Sequence, residues 1–339
     1  MKIVIFCTVS TGLDSITHVL SRGLKVDLIV GVSPKSKVNA ISGYVDISEF
    51  AQSKGINFLH VESYSLSNPI DKKALMELDI DYIWVAGWQR LLPEWLINHV
   101  SYCVIGSHGS PDGITSGRGR SPQNWALICG AEKFYLSTFI IEAGVDDGKI
   151  IGEKSFIYNE FDDIKTSYFK VSLCLAEMII DFFSCPELRM VNAIPQSGVP
   201  AYYPQRLETD GWADWTLSQR EISRICRALT KPYPGMRTVY KNNSNEIDIR
   251  IWKCQPFDDI ISGRIGEISH VFHEGSFLVE CRDGRIIVTD WSASSATWKP
   301  IAANLLGGKL FAAEIKEIVQ RHQQKLPDFP VSERILRCQ

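Results

Sequence analysis

The chain of 339 residues predicts an α/β fold with a mainly parallel sheet, followed by a smaller β-barrel. Three observations carry that expectation. Short unbroken apolar runs alternate with amphipathic stretches over the first third of the chain. Strands buried on both faces by helices read that way, because neither face meets water. A Pro- and Gly-rich stretch, Asn192 to Arg206 (NAIPQSGVPAYYPQR), then interrupts the chain. Beyond it the pattern turns to short alternating strands between turn residues, as in a small barrel.

Taken in order, KIVIF is the first strand and LDSITHVLSRG the first helix. VDLIVGV leads to DISEFAQSKG, where Asp46 is placed to cap a helix and Gly55 to stop it. NFLHV precedes DKKALMEL, YIWVAG precedes PEWLINHV, and CVIGSH precedes SPQNWALICG. FYLSTFII and KIIGEKSFIY read as two strands around the turn GVDDG. A long helix is expected from about Ile164 to Phe183. We therefore expect a catalytic domain over 1–191, a linker over 192–206, and a second domain over 207–339. That second domain opens on the helix SQREISRICRALT, continues through EIDIRIWKC, GRIGEISHVF, SFLVECRDG and RIIVTDW, and ends on the helix AAEIKEIVQRHQQ.

Composition excludes several classes. Hydrophobic residues make 45% of the chain and charged residues 22%, with a net charge of −3. That balance gives no general attraction to nucleic acid or to anionic membranes. The nine cysteines are odd in number and contain no CxxC pair, so reduced thiols are expected rather than disulfides or zinc. No apolar run approaches the ~20 residues that span a bilayer, and no signal peptide is evident, so a cytoplasmic protein is expected. The first strand–helix junction, FCTVSTGLDS, carries neither GxGxxG nor GxxxxGK[ST], so no dinucleotide or P-loop site is expected there.

Candidate chemistry concentrates in Val104 to Pro122, VIGSHGSPDGITSGRGRSP. His18, His60, His99, His270, His273 and His322 fit ordinary surface or core positions. His108 falls at the carboxyl end of a strand, where open α/β sheets place ligand crevices. From position alone it reads equally as a functional imidazole or as a strand-end residue capping a helix. Asp146-Asp147-Gly148 by itself reads as turn chemistry; beside His108, a carboxylate there would orient the imidazole and raise its basicity. Arg118 and Arg120 in GRGRSP read as an anion or carbonyl clamp, or as a solvated loop. The two Trp of GWQRLLPEWL (Gly87 to Leu96) read as core or as a flat wall for a ring.

Together these segments resemble the formyltransferase family that uses N10-formyltetrahydrofolate. Its members read N-x-H-x-S-L-L-P, then R-G and a Pro before a helix, and later G-x-D-x-G. Here GSHGSPDGITSGRGRSPQNWALICG is followed by EAGVDDGKII. YYPQRLETDGWADWTLSQREISRICRALTKPYPG is similar to the entry into the second domain in both the tRNA-directed and the sugar-directed branches. The resemblance implies a Rossmann-like catalytic domain and an OB-like barrel. It implies catalytic roles for His108 and Asp146 and folate as co-substrate, with no metal. The folate would be bound by Trp88, Gln89, Arg90, Leu91 and Leu92 together with Ala143, Gly144 and Val145. Arg118 and Arg120 are candidates for the acceptor.

One departure stands out. The family Asn, which donates to the formyl oxygen, is replaced by Gly106. Residues two apart on a strand share a face, so Gly106 points with His108 and Ser107 points away. The loop after His108 is about two residues longer than usual, and Ser110, Asp112, Thr115 and an ordered water are the candidates for filling the vacated space. Three readings follow. One is a transferase with a differently built oxyanion site. Another is a formyltetrahydrofolate hydrolase: the hydrolase domain of formyltetrahydrofolate dehydrogenase resembles the family and lacks the same Asn. The last is a non-catalytic folate- or nucleotide-binding relative. The first is preferred because His108, Asp146 and the pterin loop persist together. The segment VSPKSKVNAISG is shorter and less basic than the insertion of tRNA-formylating members, and the barrel is mixed in charge. A small amine acceptor, foremost a nucleotide-linked amino sugar, is therefore expected ahead of initiator methionyl-tRNA. The sugar-directed branch also implies a homodimer.

Overall fold

A computed structural model describes residues 1–36, 41, 43–142, 144–242 and 245–338. Its strands in chain order are β1 (Ile3–Phe6), β2 (Leu28–Val32), β3 (Asn57–Val61), β4 (Tyr82–Val85), β5 (Cys103–Ser110), β6 (Arg118–Gly119), β7 (Lys133–Ile140) and β8 (Ile150–Ile157). They continue with β9 (Tyr202–Tyr203), β10 (Met236–Lys241), β11 (Glu246–Asp258), β12 (Ile268–Val271), β13 (Phe277–Cys281), β14 (Gly284–Ala293) and β15 (Leu306–Gly307). The chain divides into two compact units, one of 1–115, 134–156 and 168–199, the other of 116–133, 157–167 and everything from Pro200 on. Residues 116–133 and 157–167 thus pack with the second unit although they lie inside the 1–191 segment.

The first unit is built on a seven-stranded sheet ordered β3-β2-β1-β4-β5-β7-β8. The pairings from β3 through β5 are parallel, and β7 runs antiparallel to β5. Alternate side chains of one strand feed two cores. Ile3 and Ile5 pack with Trp84, Ile105, Ile179 and Phe182, whereas Val4 and Phe6 pack with Val30, Val104, Trp88 and Leu96. Burial on both faces is why these strands carry no polar alternation.

The helices that flank this sheet start and stop for local reasons. Gly55 ends the Ser48–Lys54 helix in the left-handed region, at φ 67°. Asp46 lies one residue before the N-cap and accepts the Ser48 amide at 2.9 Å. Asn68 caps Pro69–Met76 by accepting the Ile70 amide. The expected long helix is Ile164–Ser184.

The second unit carries a curled antiparallel sheet of six strands, β12-β13-β14-β11-β10-β15. Register shifts along β11 bend it, and a Glu267–Leu305 bridge brings the β12 and β15 ends of the sheet together. The Gln219–Leu229 helix opens on a capping box between Ser218 and Glu221. The segment 192–206 has structure of its own. Ile194 bridges Ile150 in the first unit, and β9 lies parallel to β6 in the second. At Gly119 (φ 97°) an added Cβ would stand 2.5 Å from the Tyr203 carbonyl oxygen, so only glycine lets these two strands meet. Among the described residues, no helix is long and apolar enough to cross a membrane.

Candidate active site

The site grows from the way β5 outlasts its parallel neighbour. β4 accompanies β5 as far as Ile105, opposite Trp84, while β7 continues beside Gly106 to Ser110. His108 therefore sits on the stretch of β5 that extends beyond the parallel sheet, at its carboxyl end.

His108 and Asp146 come together. Nδ1 of His108 lies 3.5 Å from Oδ2 of Asp146, with the side chains 11% and 28% exposed. Both are sheltered but reachable. The distance is long for a tight hydrogen bond, and pairs of this kind close when substrate excludes water.

The turn that presents Asp146 is held by sterics and by one amide. Asp146 itself adopts φ 50°, a conformation that aspartate tolerates better than most residues. A Cβ on Gly148 would lie 1.6 Å from the Ile140 carbonyl oxygen, so this position admits only glycine. A Cβ on Gly144 would collide with the Asp147 carboxylate. The side-chain amide of Gln196 donates to the carbonyl oxygens of Asp146 (2.7 Å) and Gly148 (3.0 Å).

A side chain added at Gly106 would meet apolar neighbours first. A Cβ there would stand 2.8 Å from Cγ1 of Ile141 and 2.9 Å from Cζ of Phe139, the residue paired with it on β7. Two apolar side chains occupy the direction an Asn would take. Two of the polar candidates have partners of their own. Ser110 is fully buried and accepts the Asp112 amide at 3.0 Å. Thr115 donates to Oε1 of Gln196 at 3.1 Å.

The residues assigned to the pterin divide into core and surface. Trp88 packs edge-on against Phe6 (5.2 Å between ring centroids) and Tyr64 (4.9 Å), and Leu92 is buried in the same core. Gln89, Arg90 and Leu91 are exposed, with Leu91 at 63%. The Gln89 backbone N–H donates to the Tyr64 hydroxyl at 2.6 Å, and the Arg90 guanidinium lies over the Tyr64 ring. Val145 is exposed and Gly144 half-buried, whereas Ala143 lies outside the described residues. Lys37 to Ala40 and Ser42 of VSPKSKVNAISG also lie outside them.

Arg118 and Arg120 belong to the second unit. Arg118 is buried on β6 with its amide donating to the Ala201 carbonyl, and Arg120 is exposed. Burial pushes the thiols of Cys7 and Cys103 up to about 12, so neither is a thiolate nucleophile at neutral pH. Among the described residues no three His, Cys, Asp or Glu side chains gather as a metal site requires.

Sequence reasoning missed Phe139, Ile141 and Gln196. The first two read as ordinary strand apolars, and Gln196 is a single amide in a Pro- and Gly-rich segment. None of them sits in a pattern that singles it out.

Residues 1–172 match the formyl transferase family and residues 208–301 match the formyl transferase C-terminal domain. The chain belongs to the formyl transferase family and is an N-formyltransferase by that membership. It is 25% identical over 311 residues to the methionyl-tRNA formyltransferase of Caldanaerobacter subterraneus subsp. tengcongensis, covering 91% of this chain and 97% of that one. It is 29% identical over 246 residues to the methionyl-tRNA formyltransferase of Thermodesulfovibrio yellowstonii, covering 72% and 78%.

Among solved structures, an N-formyltransferase from Helicobacter canadensis, in complex with folinic acid and dTDP-3-aminofucose, has a TM-score of 0.57. It is 15% identical, with 85% of this chain and 99% of that one covered. A variant of HypX from Aquifex aeolicus has a TM-score of 0.61 at 14% identity, with 98% of this chain covered. This chain spans about half the length of that HypX chain. At these identities the structural likeness speaks to the fold.

Proposed function

We propose that this protein transfers the formyl group of N10-formyltetrahydrofolate to the amine of a small acceptor, foremost a nucleotide-linked amino sugar. The observation that carries this reading is the His108–Asp146 pair at the carboxyl end of β5. With Nδ1 of His108 facing Asp146, the proposed proton transfer runs through Nε2 of the same ring. His108 takes the proton of the attacking amine as the formyl carbon becomes tetrahedral, and Asp146 stabilises the imidazolium. The proton then goes to N10 as tetrahydrofolate leaves. The imidazolium also stands beside the developing oxyanion, a role that grows in weight where residue 106 supplies no donor.

The exposed residues of the 88–92 and 144–145 segments fit a folate. Leu91 and Val145 offer apolar surface to a flat ring, and Gln89 and Arg90 offer polar groups for its edge and its glutamate tail. The acceptor assignment rests on charge: a chain at −3 has no surplus of cations to follow the phosphates of a tRNA. One observation favours methionyl-tRNA as the second reading, namely that a methionyl-tRNA formyltransferase aligns with 91% of this chain.

Incubation with N10-formyltetrahydrofolate and a panel of amino-sugar nucleotides, with methionyl-tRNA as a parallel arm, tests both readings. Mass spectrometry should find one formyl group on a sugar nucleotide. Formyl transfer only to the tRNA would replace the first acceptor by the second. Rapid formate release without any amine would instead make the protein a hydrolase.

A further inference from the structure

The lengthened loop after His108 has a physical partner. Thr115, in the short Gly113–Ser116 helix of that loop, donates its hydroxyl to Oε1 of Gln196 at 3.1 Å. This bond orients the Gln196 amide, since an acceptor oxygen held by a hydroxyl leaves the NH2 group facing the opposite way. The NH2 group spends its two protons on the carbonyl oxygens of Asp146 and Gly148. One side chain therefore ties the segment carrying His108 to the turn carrying Asp146.

We propose that Gln196 is a positioning residue for the His108–Asp146 pair, and that Thr115 sets the direction of its amide. Asp146 needs this support for two reasons. Its backbone is in a left-handed conformation that a non-glycine residue holds only when its surroundings fix it. Its carboxylate is also 3.5 Å from the imidazole, so a small rotation of the turn breaks the contact. The bridge is an alternative use of the extra loop length. Through Gln196 the loop braces the backbone of the turn whose carboxylate faces His108. The inference rests on the proposed reading of His108 and Asp146 as the working pair.

Gln196→Glu is the decisive variant, because it keeps the shape and loses both donors. A carboxylate against two carbonyl oxygens repels them. We expect kcat to fall by about 10- to 100-fold with the KM for folate changed less than twofold, since displacement of a catalytic group by about 1 Å costs on that order. Thr115→Val should lower kcat by about threefold, and adding it to Gln196→Glu should cost little more, because both act through one link. Nitrogen NMR of isotope-labelled histidine gives a readout that needs no acceptor. The His108 Nδ1 signal should move in Gln196→Glu in the direction it moves in Asp146→Asn. A Gln196→Glu variant with wild-type kcat and an unmoved His108 signal overturns the inference, as does strict additivity of the two substitutions. If the signal moves but wild-type protein transfers no formyl group, the positioning stands and the functional reading fails.

Discussion

Two positions of one strand, Gly106 and His108, share a face and meet opposite surroundings. Around residue 108 the chain has assembled a polar site: an aspartate at ion-pair distance and, behind it, an amide braced by a threonine. Around residue 106 it has assembled an apolar wall of Phe139 and Ile141. A polar group is kept at such a strand end only if it finds a partner, while an absent side chain is closed over by whatever apolar atoms are near. The difference teaches that one face of one strand can meet an apolar and a polar surrounding only two residues apart. On the proposed reading, the chemistry belongs to the polar side.

The largest expected effect comes from removing the polar partner. His108→Asn should lower kcat for formyl transfer by about 1000-fold, the upper part of what a general base supplies, measured by formyl transfer to the identified acceptor. Asp146→Asn keeps the shape and should cost about 100-fold, seen as a fall in kcat with unchanged folate binding. Near wild-type turnover in either variant would remove the distinction between the two positions.

The wall is probed by refilling it. Gly106→Asn should destabilise the protein by about 2 kcal/mol in urea unfolding, because Ile141 and Phe139 must move, and should not raise kcat. Combining it with Ile141→Ala makes room at the wall. If the missing donor limits the rate, the double variant gains about tenfold in kcat over Gly106→Asn alone. Gly106→Ala should give the smallest effect, about 1 kcal/mol of lost stability with kcat unchanged. A gain in activity from Gly106→Asn alone would show that the wall yields easily.

The reach of sequence reasoning differs between elements. β1, β2 and β4 were legible because each is an unbroken apolar run between amphipathic stretches, and burial on both faces demands that pattern. Gly55 as a helix stop was legible because left-handed C-caps favour glycine. The short Gly113–Ser116 helix was not, since a single turn has no periodicity to read. Within the site, His108 and Asp146 were reachable through spacing and resemblance. Gln196 was invisible because its importance comes from two backbone carbonyls that become its neighbours only when the chain folds.

By itself the sequence determined the class of fold, the family, and a glycine at residue 106 where the resemblance leads one to expect Asn. Each follows from local composition, periodicity or the order of motifs. Only the tertiary structure decided what surrounds residue 106 and what supports the backbone of Asp146. Phe139 faces Gly106 through antiparallel pairing across β5 and β7, and Ile141 follows at the end of that pairing. Gln196 reaches the turn from about fifty residues along the chain. Such contacts depend on where strands and turns come to rest against one another, which no local pattern of residues encodes.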